Sequence, residues 1–204
     1  NALLADGVLG PLSDRQRFAV QRVSVAIRNL KRLIDQNFEL TELESGKVAT
    51  EVAPTDLHAL ALGVARELEP QARRQGVAIV VEGADPFDGR LETDPTMARR
   101  ILLLLCETAL TLTERKEITV RVRSDGATAR VDVIDVGGGI RRQEAERIFE
   151  ELAGNAMDAS RIGLGLAIAR RLAELLGGRI TATAGAGAGM VLSLQIPARV
   201  VARA

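Results

Sequence analysis

Aromatic residues are nearly missing from this chain of 204 residues: there are four phenylalanines, no tryptophan and no tyrosine. The core must therefore be aliphatic, and stacking of nucleic-acid bases on aromatic rings has little to work with. Charge of one sign is missing too. Lysine plus arginine and aspartate plus glutamate both number 27, so no global basic field exists for nucleic acid. A single cysteine, Cys106, excludes a disulfide within the chain and fits a reducing, cytoplasmic setting. It sits behind the apolar run Ile101 to Leu105, which predicts a buried, inert thiol. One histidine, His58, leaves no His/Cys cluster for zinc and no Ser–His–acid triad arguable from spacing. No apolar run reaches membrane-spanning length and no signal peptide is visible, so no direct membrane contact is expected. The sequence begins on Asn rather than Met. It reads as a piece of a longer chain, preceded by a membrane or sensor module.

What is present is enough for a core: 47% of residues are apolar and 26% charged, within the globular range. Ala2 to Leu4 and the glycines and proline at Gly7, Gly10 and Pro11 read as a helix end and a turn. Ser13 with Gln16 forms a capping box. Beyond it Phe18, Val20, Val23, Ile27, Leu30, Ile34, Phe38 and Leu43 recur mostly at three- and four-residue intervals. They predict a long amphipathic helix from Asp14 to Leu43, stopped near Gly46 and too long to be buried by a small domain alone. Val48 to Val52 reads as a strand and Pro54 as punctuation. A helix capped at Thr55 or Asp56 runs to Arg74, followed by a strand over Val77 to Val81 and a short one over Gly89 to Thr93. Asp94-Pro95 opens a helix to Thr113 that is apolar nearly all round and must be buried. Glu117 to Arg123 and Ala127 to Asp135 form a hairpin around Asp125-Gly126. A short helix over Arg141 to Phe149, an irregular stretch over Leu152 to Ser160, a helix over Gly163 to Leu176 and strands over Arg179 to Thr183 and Met190 to Ile196 complete the chain.

Chemistry concentrates in two places. The run Val133-Ile134-Asp135 ends a β-branched strand on an acid followed by Gly137, Gly138 and Gly139, then Ile140. Glycine permits close approach to the main chain, and the acid can accept a hydrogen bond from a purine amino group. Further on, Gly163-Leu164-Gly165-Leu166 lies at the mouth of a helix, where N–H groups and the helix dipole favour an anion. Together they read as a nucleotide pocket, with the base at Asp135 and the phosphates near Gly163 and Gly165. A lone glycine-rich turn is usually only a turn; the pair and their order carry more weight.

Asp135-x-Gly137-x-Gly139, then Ile148-Phe149-Glu150, then Gly163-x-Gly165-Leu166, then Gly177-Gly178-Arg179-Ile180 resembles the ATP-binding domain of sensor histidine kinases, which shares its fold with Hsp90, gyrase and MutL. Leu33-Ile34-Asp35 with Leu40-Thr41-Glu42-Leu43-Glu44-Ser45-Gly46-Lys47 resembles the end of that family's second dimerisation helix. The resemblance implies an α+β fold: a helical dimerisation segment, residues 1–46, then an α/β sandwich with a mixed sheet and helices on one face, residues 47–204. It implies ATP and Mg²⁺, a homodimer through the helical segment, and a response regulator as partner. The acceptor histidine would lie upstream of Asn1, leaving no catalytic residue within the chain. His58 lacks the acceptor's sequence context and reads as a structural or surface residue.

The resemblance assigns adenine to Asp135, the pocket floor to Gly137, Gly139 and Ile140, the phosphate side to Gly163, Leu164, Gly165 and Leu166, and a lid to residues 152–160. The chain departs from the family in its asparagine box, where Leu104, Thr108, Thr111 and Leu112 stand for the two asparagines, the basic residue and the aromatic. The second asparagine holds Mg²⁺ in the family; here Thr108 and Glu107 are the oxygen ligands on that helix. Arg161 likewise replaces the first glycine of the phosphate-side box. Arg170-Arg171 reads as a solvated helix face rather than a phosphate contact. Two readings follow: a histidine kinase, or a kinase-like docking module or phosphotransferase that does not use ATP. A third, a kinase of the same fold acting on an anti-sigma-factor antagonist, is disfavoured by the long first helix.

Overall fold

Ser13 begins the first helix as the sequence predicts: its hydroxyl accepts from the Gln16 N–H, and the Gln16 side chain accepts from the Ser13 N–H. The computed structural model describes residues 10, 12–83, 90–113, 116–124, 127–135, 161–184 and 189–197. Expectations for residues 1–9, the turn Asp125-Gly126, the loop Gly137 to Ile140, the helix Arg141 to Phe149 and the lid 152–160 fall outside them.

Helix α1 spans Asp14–Glu44, 31 residues and about 46 Å. Gly46 ends it at φ 68°, a conformation glycine takes without a Cβ penalty. Strand β1 is Ala53–Asp56, α2 Leu57–Gln75, β2 Ala78–Gly83, β3 Arg90–Thr93 and α3 Pro95–Leu112. Then come β4 Glu117–Ser124, β5 Thr128–Asp135, α4 Arg161–Leu175, β6 Arg179–Ala184 and β7 Met190–Pro197. Asp56 caps α2 by accepting from the Ala59 N–H at 2.8 Å. Asp94 caps α3 by accepting from Thr96 and Met97 at 2.9 and 3.0 Å.

One expectation fails here. The strand read over Val48 to Val52 lies instead at Ala53–Asp56, across Pro54. This β1 pairs with β3 alone, in a separate two-stranded sheet, and Pro54 is tolerated because an edge strand has no second neighbour needing its N–H.

The main sheet has the order β2-β4-β5-β7-β6, with β2 parallel to β4 and the rest antiparallel. Side chains alternate across it. Ile118, Val120 and Val122, then Ala129, Val131 and Val133, then Leu192, Leu194 and Ile196 are all buried against the helical layer. That layer contains α2, α3 and α4, with α3 packed between the other two. Helix α3 contributes Ile101, Leu102, Leu104, Leu105 and Cys106 to the core, as its all-round apolar pattern requires. Burial pushes the Cys106 thiol up to about 12, with a lesser push from Glu107, so it is an inert core residue.

Helix α1 has two faces. Gln36, Leu40 and Leu43 are buried against the rest of the chain, chiefly α4. Phe18, Val23, Ile27, Leu30, Ile34 and Phe38 form an exposed apolar stripe along it. Among the described residues no helix is long and apolar enough to cross a membrane.

Candidate functional site

Asp135 ends β5 on the sheet face that carries the helices, level with Ile118 of β4 and Met190 of β7. Only 2% of it is exposed. Its Oδ1 accepts from the Thr113 hydroxyl at 2.8 Å, just past the end of α3. Its Oδ2 is buried and has no hydrogen-bond partner among the described residues. A buried carboxylate oxygen without a donor is costly, about 1–3 kcal/mol or more, and native structures rarely keep one. Among the described residues, therefore, an acceptor at the end of β5 is left with no donor. A purine amino group is one donor that fits.

The helix expected at Gly163 starts at Arg161, which places both glycines inside its first two turns. Only the first four N–H groups of a helix lack an intrahelical acceptor. Gly163 falls among those four, and Gly165 does not. Gly165 lies at ordinary contact distance from both neighbouring helices: a Cβ there would be 3.6 Å from Leu104 Cδ2 and 3.8 Å from Gln36 Nε2. Leu166 is buried in the core and Leu164 is half-buried beside it.

The asparagine-box helix meets α1 at this point. Arg32, Gln36, Leu104, Glu107, Thr108, Thr111 and Gly165 line one cavity of about 10 Å³. Thr108 is buried and donates its hydroxyl to the Leu104 carbonyl at 2.8 Å; Thr111 donates to the Glu107 carbonyl at 2.8 Å. Glu107 Oε1 meets the Arg32 guanidinium at 3.4 Å. About two turns further, seven residues along each helix, Arg100 engages Glu39 through two contacts, at 2.8 and 2.5 Å. The Glu39 hydrogen bond raises the Arg100 pKa, outweighing burial. These two ion pairs fasten α1 across α3.

Three of the residues involved carried no signal as site residues. Gln36, Arg32 and Glu39 were legible only as members of an amphipathic helix. The spacing of Gln36, Leu40 and Leu43 was the available sign of a second buried face. His58 packs its ring beside Gly83 at the end of β2, two strands from β5. Arg170 and Arg171 both pair with Glu174 on their own helix. Among the described residues no group of three His, Cys, Asp or Glu side chains could hold a metal ion.

The orphan Oδ2 of Asp135 fits a nucleotide base. For a metal the fit is less simple. Thr108 and Glu107 supply oxygens, the hard donors Mg²⁺ prefers, but the amide oxygen of the family's asparagine is missing from α3.

Comparison with known proteins gives the family and the fold. Residues 93–200 match the family described as histidine kinase-, DNA gyrase B-, and HSP90-like ATPase. The circadian input-output histidine kinase CikA of Synechococcus elongatus is 30% identical over 198 residues, covering 92% of this chain and 26% of that protein. The aerobic respiration control sensor protein ArcB of Escherichia coli is 30% identical over 197 residues, covering 94% of this chain and 25% of that protein. The chain thus spans about a quarter of these relatives. Full-length ShkA, solved in complex with AMPPNP, superposes with a TM-score of 0.75 at 26% identity, over 94% of this chain and 41% of its own.

Proposed function

This chain belongs to the histidine kinase-, DNA gyrase B-, and HSP90-like ATPase family, and we propose that it is the dimerisation and ATP-binding core of a two-component sensor histidine kinase. Residues 1–46 belong to the dimerisation segment and residues 47–204 to the ATP-binding domain. ATP binds with its base at Asp135 and its phosphates toward Gly163 and Gly165. The γ-phosphoryl group passes to a histidine N-terminal to Asn1, and from there to an aspartate of a response regulator.

The observation that carries this reading is the buried Oδ2 of Asp135, which has no partner among the described residues while Oδ1 is held by Thr113. An acceptor fixed in this way distinguishes a 6-amino purine from a 6-oxo purine. Gly137, Gly139 and Ile140 follow in sequence and are the residues this reading assigns to the floor of the base pocket. Thr108 and Glu107 are the oxygen ligands this reading offers to Mg²⁺, which would neutralise phosphate charge. The exposed stripe from Phe18 to Phe38 matches what two copies of α1 would bury against each other. The complex of ShkA with an ATP analogue supports ATP as the ligand. A cytoplasmic location follows from this role.

Base selectivity tests the reading. ADP should bind the intact chain and compete with an ATP analogue, and GDP should not displace either at equal concentration. Equal binding of ADP and GDP would remove Asp135 from the site.

A second reading has its own observation. Helix α1 leaves only about 10 Å³ at the asparagine-box position, and the box lacks both asparagines. A dimeric docking module or phosphotransferase that does not use ATP would look the same there. It has no use for a buried acceptor at Asp135, which favours the kinase.

A further inference from the structure

We propose that the free edge of the main sheet, strand β2, takes an extended segment of a partner protein as a sixth strand, with apolar side chains in the groove beside α2 and a carboxylate at Arg66.

Strand β2 ends the sheet order and pairs only with β4. The Ala78 N–H donates to the Lys116 carbonyl at 2.7 Å, so the main-chain groups of Ala78, Val80 and Glu82 turn to β4. Main-chain groups alternate sides along a strand, so those of Ile79 and Val81 turn outward. Both residues are half-buried, and among the described residues nothing pairs with these outward groups. Natural edges are blunted by proline, lysine or a bulge. Ala78–Gly83 carries none of these, and its register with β4 is unbroken. Its one charge, Glu82, is taken by Arg121 at 2.7 Å.

The side chains of the same two residues, Ile79 and Val81, line a groove of about 380 Å³. Its other wall is α2, through Leu62, Ala65, Arg66 and Arg73, the spacing of one helix face. A strand added along Ile79 and Val81 sends alternate side chains into this groove. Edge addition works in this way: main-chain bonds give affinity and pockets for alternate side chains give selection. The groove is apolar at Leu62, Ala65, Ile79 and Val81 and cationic at its rim. Arg73 pairs with Glu69 at 2.7 Å, whereas Arg66 is exposed and has no ion-pair partner among the described residues. One uncompensated positive charge is left in the lining, and a carboxylate on the incoming strand answers it. A second copy of this chain does not supply that carboxylate through β2. The groove-facing side of its own β2 is Ile79, Val81 and Gly83, with Glu82 on the opposite face. The edge therefore suits a different protein, one whose strand alternates apolar residues with an acid.

The test uses the intact chain and the blocked peptide Thr-Val-Thr-Asp-Thr-Val-Thr, which sets both valines and the aspartate on one side of a strand. Without peptide, amide hydrogen exchange read by NMR should be fast at Ile79 and Val81 and slow at Val80. Saturating peptide should slow Ile79 and Val81 about tenfold or more, with a Kd at or below about 1 mM, a weak but specific affinity. The same peptide N-methylated throughout should leave both amides unchanged. Arg66→Glu, at an exposed position, should weaken the aspartate peptide about fivefold and tighten one with lysine in place of the aspartate, the scale of a reversed surface ion pair. Slow exchange at Ile79 and Val81 in the free chain overturns the proposal. If it accompanies self-association that Val81→Pro abolishes in analytical ultracentrifugation, the edge belongs to a second copy; if not, the chain covers the edge itself. Peptide binding that leaves both amides fast, or that ignores Arg66→Glu, also overturns it, as does the absence of saturable binding at that limit.

Discussion

Replacing Asp135 by Asn changes one atom of the site, and the structure gives the size of the effect. Oδ1 can still accept from the Thr113 hydroxyl, so the end of β5 and the end of α3 stay tied. Oδ2, the buried acceptor without a partner, becomes an NH₂ donor. Toward an adenine amino group the change removes an acceptor and sets two donors face to face. A hydrogen bond to a charged group is worth about 1.5–3 kcal/mol, so ADP affinity should fall at least about 10–150-fold. Fold stability should change little, because neither the Thr113 bond nor the packing around this residue is lost. Calorimetric titration with ADP measures the first quantity and thermal melting the second. Unchanged ADP affinity in a folded Asp135→Asn protein would refute the assignment of the base to this residue.

Three further predictions test other parts of the molecule. Charge placed on the exposed stripe of α1, by Ile27→Glu or Leu30→Glu, should convert a dimer to monomer in analytical ultracentrifugation while the circular dichroism spectrum stays that of the folded chain, because these side chains are 53% and 59% exposed in the single chain; a dimer that survives both would place the interface elsewhere. Gly178→Ala should destabilise the chain by about 1–3 kcal/mol in urea unfolding, since its Cβ would lie 2.2 Å from the Gln195 carbonyl oxygen, a backbone atom that cannot turn away; wild-type stability would mean β7 moves freely there. Asp132, with a side chain 1% exposed on the open face of the sheet, is held by Ser193 at 2.6 Å, Arg130 at 2.6 Å and Arg123. Burial pushes its pKa up, but these three hydrogen bonds together outweigh that and hold it below the usual carboxylate range. A depressed folded value stabilises the protein above the unfolded pKa of about 3.9 and loses that contribution as pH falls through the folded value. Asp132→Asn should therefore flatten the acid limb of the stability curve below about pH 4; an unchanged limb would mean the network contributes nothing.

The sequence made some of this legible and not the rest, for identifiable reasons. Helix α1 was readable because its apolar positions recur with helical period and Ser13, Gln16 and Gly46 mark its ends. The place of Asp135 at the end of β5 was readable because the β-branched run stops there on an acid followed by glycines. Strand β1 was misplaced because the β-branched Val48, Thr50 and Val52 favour a strand locally, whereas the real partner of the chain there is β3, some forty residues on. Gln36 was invisible for a related reason. A glutamine among charged residues on a long helix reads as solvent-facing. Its burial depends on contacts that fasten Arg32 to Glu107 and Glu39 to Arg100, at sequence separations of 75 and 61. Local periodicity holds no record of such pairs. The two-faced character of α1, apolar toward solvent from Phe18 to Phe38 and packed on its own chain from Gln36 to Leu43, likewise emerges only when α4 is in place.

The most direct test is calorimetric titration of the intact chain with ADP in the presence of Mg²⁺. A nucleotide site at Asp135 predicts saturable binding at one site per chain, competed by a non-hydrolysable ATP analogue and lost in Asp135→Asn. No saturable binding would contradict it, and would make the chain a dimeric docking module whose buried acceptor has no ligand.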